Sequence, residues 1–176
     1  AGGKGSSYVD GNQIPVPLQM GTLSKAIGGY GGYLCASKPV IDFIKTRARS
    51  FIYTTGLPPA TLAAAIASLE LIATDKELVK KPMMHAKLFS NTLGLSEPES
   101  CIVPVILGSA EKALEASSAL ENEGYIVTPI RPPTVAEGTS RLRITFTAEH
   151  KEADVLQLAN SLKPFLPKEP IYPFTV

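Results

Sequence analysis

Lys25 is the residue best placed in this chain to do covalent chemistry. It lies in Met20-Gly21-Thr22-Leu23-Ser24-Lys25-Ala26, after a short apolar run (Val16, Leu18, Met20) and before Gly28-Gly29-Tyr30-Gly31-Gly32-Tyr33. A primary amine can form a Schiff base with a carbonyl, and the hydroxyls of Thr22 and Ser24 can donate to phosphate oxygens. Glycines let the backbone turn sharply and let another group come close. Together these features suit a cofactor that carries both an aldehyde and a phosphate. A solvated lysine in a surface loop is the commoner explanation of so short a pattern taken alone.

Such a site needs a framework, and composition bounds it. The chain has 176 residues, 44% of them apolar, and a net charge of +1. That is enough apolar material for a globular core, and the charge offers no attraction to nucleic acid. No apolar run approaches the roughly 20 residues of a membrane-spanning helix. Cys35 and Cys101 stand in apolar, strand-like runs without metal-ligand spacing, so they are expected to be buried, reduced thiols with no bound metal. The start, Ala-Gly-Gly-Lys-Gly-Ser-Ser, has neither a Met nor an apolar signal region and reads as the interior of a longer chain.

Periodicity places the elements. Residues 1–15 read as loop, 16–20 as a strand leading to Lys25, and Tyr33–Ala36 as a buried strand. Pro39 suits the first turn of a helix with Val40, Ile41, Ile44 and Ala48 on its apolar side. Phe51–Thr55, β-branched and aromatic, is expected to be extended. Pro58-Pro59 opens a helix whose buried face would be Leu62, Ile66, Leu69 and Ala73. Asp75 caps the next helix, Pro82 should kink or restart it, and Gly94 ends it. Beyond it, Cys101–Leu107 is a strand whose Pro104 argues for an edge or bulge. Glu111–Glu123 is a helix stopped by Gly124, and Tyr125–Ile130 a second strand. In Arg141–Thr147, Leu142, Ile144 and Phe146 alternate with Arg141, Arg143, Thr145 and Thr147, the mark of a strand with one buried face. A helix from about 149 to 162 buries Val155, Leu158, Ala159 and Leu162, and a proline-rich tail follows. The expected fold class is α/β: a small α+β sheet with helices on one face, joined by long helices to the remnant of another domain.

Several blocks in order resemble the α-oxoamine synthases, pyridoxal phosphate (PLP) enzymes of the fold-type I aminotransferase superfamily. They are Gly21-Thr22-Leu23-Ser24-Lys25-Ala26, Gly28-Gly29 to Gly31-Gly32-Tyr33, Arg47-Ala48-Arg49-Ser50-Phe51-Ile52-Tyr53 and Leu57-Pro58-Pro59-Ala60. Pro129-Ile130-Arg131-Pro132-Pro133-Thr134-Val135 and Gly138-Thr139-Ser140-Arg141-Leu142-Arg143-Ile144-Thr145 complete the set. The resemblance implies a C-acyltransferase that condenses an amino acid with an acyl thioester and releases carbon dioxide. It implies PLP as cofactor, and a cytoplasmic homodimer whose site is shared between subunits. Lys25 would hold the cofactor and act as the base, and Thr22 would bind its phosphate. Thr54, or its neighbour Thr55, would reach the partner's phosphate. Arg143 would grip the substrate carboxylate, with Arg141 on the same strand face as the alternative. The last two blocks look most like the biotin-synthesis branch, which uses L-alanine and a pimeloyl thioester; glycine- and serine-using branches are the alternatives. The resemblance divides the chain into 1–57, the end of the PLP-binding large domain, 58–94, connecting helices, and 95–176, the C-terminal small domain. The Asp and His residues that tune the cofactor in the family have no counterpart here, since the only histidines, His85 and His150, fall in expected helices and should face solvent. The 176-residue chain on its own is therefore expected neither to hold PLP stably nor to turn over.

Overall fold

The structure is a computed structural model that describes residues 8, 9 and 12–168. The expectations for residues 1–7, 10 and 11, and for 169–176 of the tail, lie outside the described residues. The chain divides into two compact units, 1–79 and 80–176.

In the first unit, β1 (Tyr8–Val9) pairs antiparallel with β2 (Asn12–Gln13), where only loop was expected. Strand β3 (Leu18–Thr22) then pairs antiparallel with β4 (Gly32–Ala36), from Leu18 opposite Ala36 to Thr22 opposite Gly32. Strand β4 was expected to be buried, but Tyr33, Leu34 and Cys35 are exposed. A ribbon of two strands has no flanking strand at either edge among the described residues, so β-propensity alone does not put its side chains inside. The same correction covers the thiols: Cys35 is exposed and Cys101 half-buried.

Helix α1 (Lys38–Arg47) has Pro39 in its first turn as expected; of its expected apolar side, Ile41, Ile44 and Ala48 are half-buried and Val40 is exposed. Ala48 breaks it with an extended backbone, and α2 (Arg49–Ile52) follows. The expected extended segment at Phe51 is thus helical. Its amides bond locally, Ile52 N–H to the Ala48 carbonyl at 2.9 Å and Tyr53 N–H to the Arg49 carbonyl at 3.2 Å. β-branched and aromatic residues favour strands through cross-strand neighbours, and these have none.

Helix α3 (Pro59–Thr74) starts at the proline pair. Its expected inner face is reversed: Leu62, Ile66 and Leu69 are exposed, while Thr61, Ala65, Ser68 and Ile72 are at least half-covered. The helix is apolar nearly all round, so composition gives its periodicity no direction. Helix α4 (Lys76–Leu93) is capped by Asp75, whose carboxylate accepts the Leu78 N–H at 2.9 Å. It runs through Pro82 as one helix and ends at Gly94, where φ is +66°.

The second unit matches its periodicity closely. Strands β5 (Ile102–Gly108), β6 (Thr128–Ile130) and β7 (Ser140–Thr145) form an antiparallel sheet in the order β5-β7-β6. Pro104 is on an edge strand that also bulges between Ile106 and Gly108, as its missing N–H requires. Strand β6 is shorter than expected because Tyr125–Val127 leaves the ladder. Leu142, Ile144 and Phe146 are all buried with Val103, Val105 and Leu107, under α4, α5 (Ala110–Asn122) and α6 (Glu152–Leu162). The four expected buried residues of α6 are all in this core.

Helix α5 opens on Ser109, whose hydroxyl accepts the Lys112 N–H at 3.3 Å. The Glu111 carboxyl is held below the usual carboxylate range by its own backbone N–H and by the Ser109 hydroxyl. A carboxyl whose pKa is lowered by folding stabilises the fold above its unfolded pKa and loses that contribution as pH falls through the folded value. Glu111→Gln is therefore expected to lower the thermal unfolding midpoint slightly at neutral pH. Titrating toward acid should close the gap to the wild type, and a gap that persists below about pH 3 would contradict this account.

Candidate active site

The Lys25 loop joins β3 to β4 and is built from backbone bonds. Leu23, the buried residue of the loop, donates its N–H to the Gly31 carbonyl at 2.9 Å and accepts the Gly29 N–H at 2.7 Å. Gly28 N–H closes a turn on the Lys25 carbonyl at 2.8 Å. The Ser68 hydroxyl of α3 donates to the Ile27 carbonyl at 2.9 Å, tying the loop to that helix. Two glycines are required. Gly28 has φ +70°; Gly31 has φ +105°, and a Cβ there would lie 2.9 Å from the Leu57 side chain. The turn leaves the Lys25 amine exposed.

Beside it, the Thr22 and Ser24 hydroxyls lie 2.6 Å apart, and Ser24 N–H donates to Thr22 Oγ1 at 3.1 Å. One braced turn therefore carries an exposed lysine and two exposed hydroxyls. This donor set fits an aldehyde with a phosphate arm: the amine can attack the carbonyl, and the hydroxyls can donate to phosphate. Thr54 and Thr55 are exposed just after α2, and Thr54 makes no hydrogen bond to the Lys25 loop among the described residues.

Arg143 lies in the other unit, at the centre of β7 between Pro104 of β5 and Thr128 of β6, and it is exposed. Arg141 differs: it is half-buried, and its Nε donates to the Thr139 carbonyl at 2.9 Å. Arg131, whose position in the sequence suggests no role, is a further exposed residue carrying a guanidinium. It follows β6 on a turn closed by Thr134 N–H to the Arg131 carbonyl at 3.0 Å.

Where Tyr125–Val127 leaves the ladder, a cleft of about 240 Å³ opens, with Arg143, Tyr125, His150 and Asp154 among its walls. Burial, then the charges of Asp154 and Glu123, push the Tyr125 phenol above its usual pKa. His85 corrects the expectation of a solvent-facing ring. It is buried, on the same side of α4 as Ala86 and Phe89, with Nδ1 3.0 Å from the Thr147 carbonyl oxygen. His150 is exposed, as expected, but sits in the turn before α6 and not in the helix. No cluster of His, Cys, Asp or Glu among the described residues could hold a metal ion.

A lysine on a glycine-braced strand-to-strand turn, with a separate α+β unit, is the arrangement of a PLP-dependent transferase of fold type I. Residues 9–162 match the family model "Aminotransferase class I and II", and the chain belongs to that family. Among individual relatives, it is 58% identical over 165 residues to 8-amino-7-oxononanoate synthase of Beijerinckia indica subsp. indica, covering 94% of this chain and 43% of that protein. It is also 58% identical over 162 residues to 8-amino-7-oxononanoate synthase of Methylocella silvestris, covering 92% of this chain and 46% of the relative. The chain thus spans less than half the length of these curated relatives. The solved structure of SPT with its PLP internal aldimine superposes with a TM-score of 0.77 at 28% identity, over 85% of this chain and 39% of that one.

Proposed function

We propose that this chain is part of an 8-amino-7-oxononanoate synthase: a PLP-dependent acyltransferase that condenses L-alanine with a pimeloyl thioester, on coenzyme A or a carrier protein, and releases carbon dioxide. The observation that carries the reading is the exposed Lys25 amine beside the Thr22–Ser24 hydroxyl pair on its braced turn. Identity of 58% to two relatives of that name supports the choice of reaction. Residues 1–57 would close the cofactor-binding domain, 58–94 would connect, and 95–176 would form the small domain. The working protein would be a cytoplasmic homodimer; no helix among the described residues is long and apolar enough to cross a membrane.

Lys25 would hold PLP through its amine, Thr22 would donate to the phosphate, and Thr54 would reach the partner subunit's phosphate. When bound, PLP supplies an electron sink for the carbanion at the substrate α-carbon. The Lys25 amine would also take the α-proton and later return one. Arg143 would grip the carboxylate with its planar guanidinium and so set which α-bond is broken. Its exposure supports this choice over Arg141, whose Nε is engaged by Thr139.

Full-length protein given L-alanine and pimeloyl thioester should yield the C9 amino-oxo acid. Absence of that product, with turnover of glycine or serine instead, would move the protein to another branch of the family. Within the proposed reading, Arg143→Lys should raise the KM for the amino acid by about 10-fold or more, while Arg141→Lys changes it less; the reverse order would transfer the role to Arg141. The 176-residue chain alone is expected not to turn over, and an absorbance band fixed onto Lys25 by borohydride would show instead that it holds the cofactor.

A further inference from the structure

Thr147, two residues past β7, is held through both polar groups of its backbone by two imidazoles. Its carbonyl oxygen lies 3.0 Å from Nδ1 of His85. A carbonyl can only accept, so this nitrogen must carry a hydrogen. Its N–H donates to Nδ1 of His150 at 3.1 Å, so that nitrogen must not carry one. The two rings thus hold one residue with opposite protonation demands at the same ring atom. His85 is buried, whereas His150 is exposed to solvent protons with its ring edge-on to Phe146 at 6.0 Å.

We infer that the turn from Thr147 to His150 is a proton-operated latch, closed while His150 is neutral and released when Nδ1 of His150 takes up a proton. Protonation removes the lone pair that receives the Thr147 N–H, and an imidazolium N–H then opposes that N–H directly. Histidine is the side chain whose charge ordinarily changes between about pH 5 and 8. The charged and titratable groups around the ring are Arg143 from β7, Asp154 from α6 and Tyr125 across the cleft, with His85 of α4 on the far side of Thr147 and Glu149 and Lys151 beside it in the chain. Release would loosen a wall of the cleft that Arg143 shares, four residues before Thr147 in the chain. The latch rests on the hydrogen-bond geometry and holds whatever reaction the protein carries out.

Nitrogen NMR of histidine-labelled protein, with amide exchange at Thr147, tests it. At about pH 8, His85 should carry its hydrogen on Nδ1 and His150 on Nε2. On acidification, the Thr147 protection factor should fall about three- to tenfold in step with protonation of His150. His150→Asn supplies a carbonyl acceptor that does not titrate, so protection should persist and its fall with pH should vanish. His150→Ala should show low protection throughout; if that variant does not fold, the wild-type titration and the Asn variant decide. A hydrogen on Nδ1 of His150 at about pH 8, or Thr147 protection that stays level while His150 titrates, would overturn the inference.

Discussion

Lys25→Ala, made in the full-length protein, is expected to lower turnover of L-alanine and pimeloyl thioester by about a thousandfold or more. Two roles fall on one amine. It holds the cofactor and it moves the α-proton, and loss of a positioned acid–base group alone costs about 10²–10⁴ in rate. The turn itself should survive, because its bonds are backbone bonds from Gly28, Gly29 and Leu23 and the Ser68 hydroxyl. The measurement is product formation together with peptide mapping after borohydride reduction, which should place the cofactor on Lys25 in the wild type and nowhere in the variant. Activity within tenfold of the wild type would return Lys25 to the role of a solvated loop lysine.

Phe89→Ala is expected to destabilise the second unit by about 3–5 kcal/mol, the usual cost of deleting a buried aromatic ring and leaving a cavity. Phe89 is fully buried on α4, and its ring meets that of Phe146 at 5.2 Å between centroids. It joins that helix to the extension of the central strand. Leu114→Ala is the control. Leu114 is 41% exposed on α5, and its loss should cost well under half as much. Denaturant unfolding followed by a probe in this unit would separate the two variants. Equal midpoints would mean that the packing of α4 on β7 contributes little to the stability of this unit.

The sequence was most legible where a single face meets a single core. Leu142, Ile144 and Phe146, and Val155, Leu158, Ala159 and Leu162, alternate or repeat against polar neighbours, and all seven are buried. Local chemistry was legible too: Asp75 caps α4, Gly94 ends it, Pro39 opens α1, and Pro104 keeps to an edge. Legibility failed where patterns lacked contrast or a partner decided the outcome. Helix α3 is apolar on nearly every side, so Leu62, Ile66 and Leu69 looked like an inner face and are exposed. Phe51 and Ile52 have strand-forming side chains but no strand to pair with. His85 looked like a polar helix residue, yet a carbonyl 62 positions away gives its ring a buried partner.

At the candidate site the division is the same. The sequence by itself determined the residue types and their order: two hydroxyls followed by an amine, ahead of glycines, in blocks that resemble one enzyme family. These are local facts, because short-range sterics and donor chemistry do not depend on distant chain. Only the tertiary structure decided which of two arginines on one strand face is exposed and which is engaged by Thr139. It alone placed Ser68 under the Lys25 turn and set two histidines on either side of Thr147. Such contacts join residues far apart in the chain, or depend on which side of an element meets a neighbour, and periodicity carries neither kind of information.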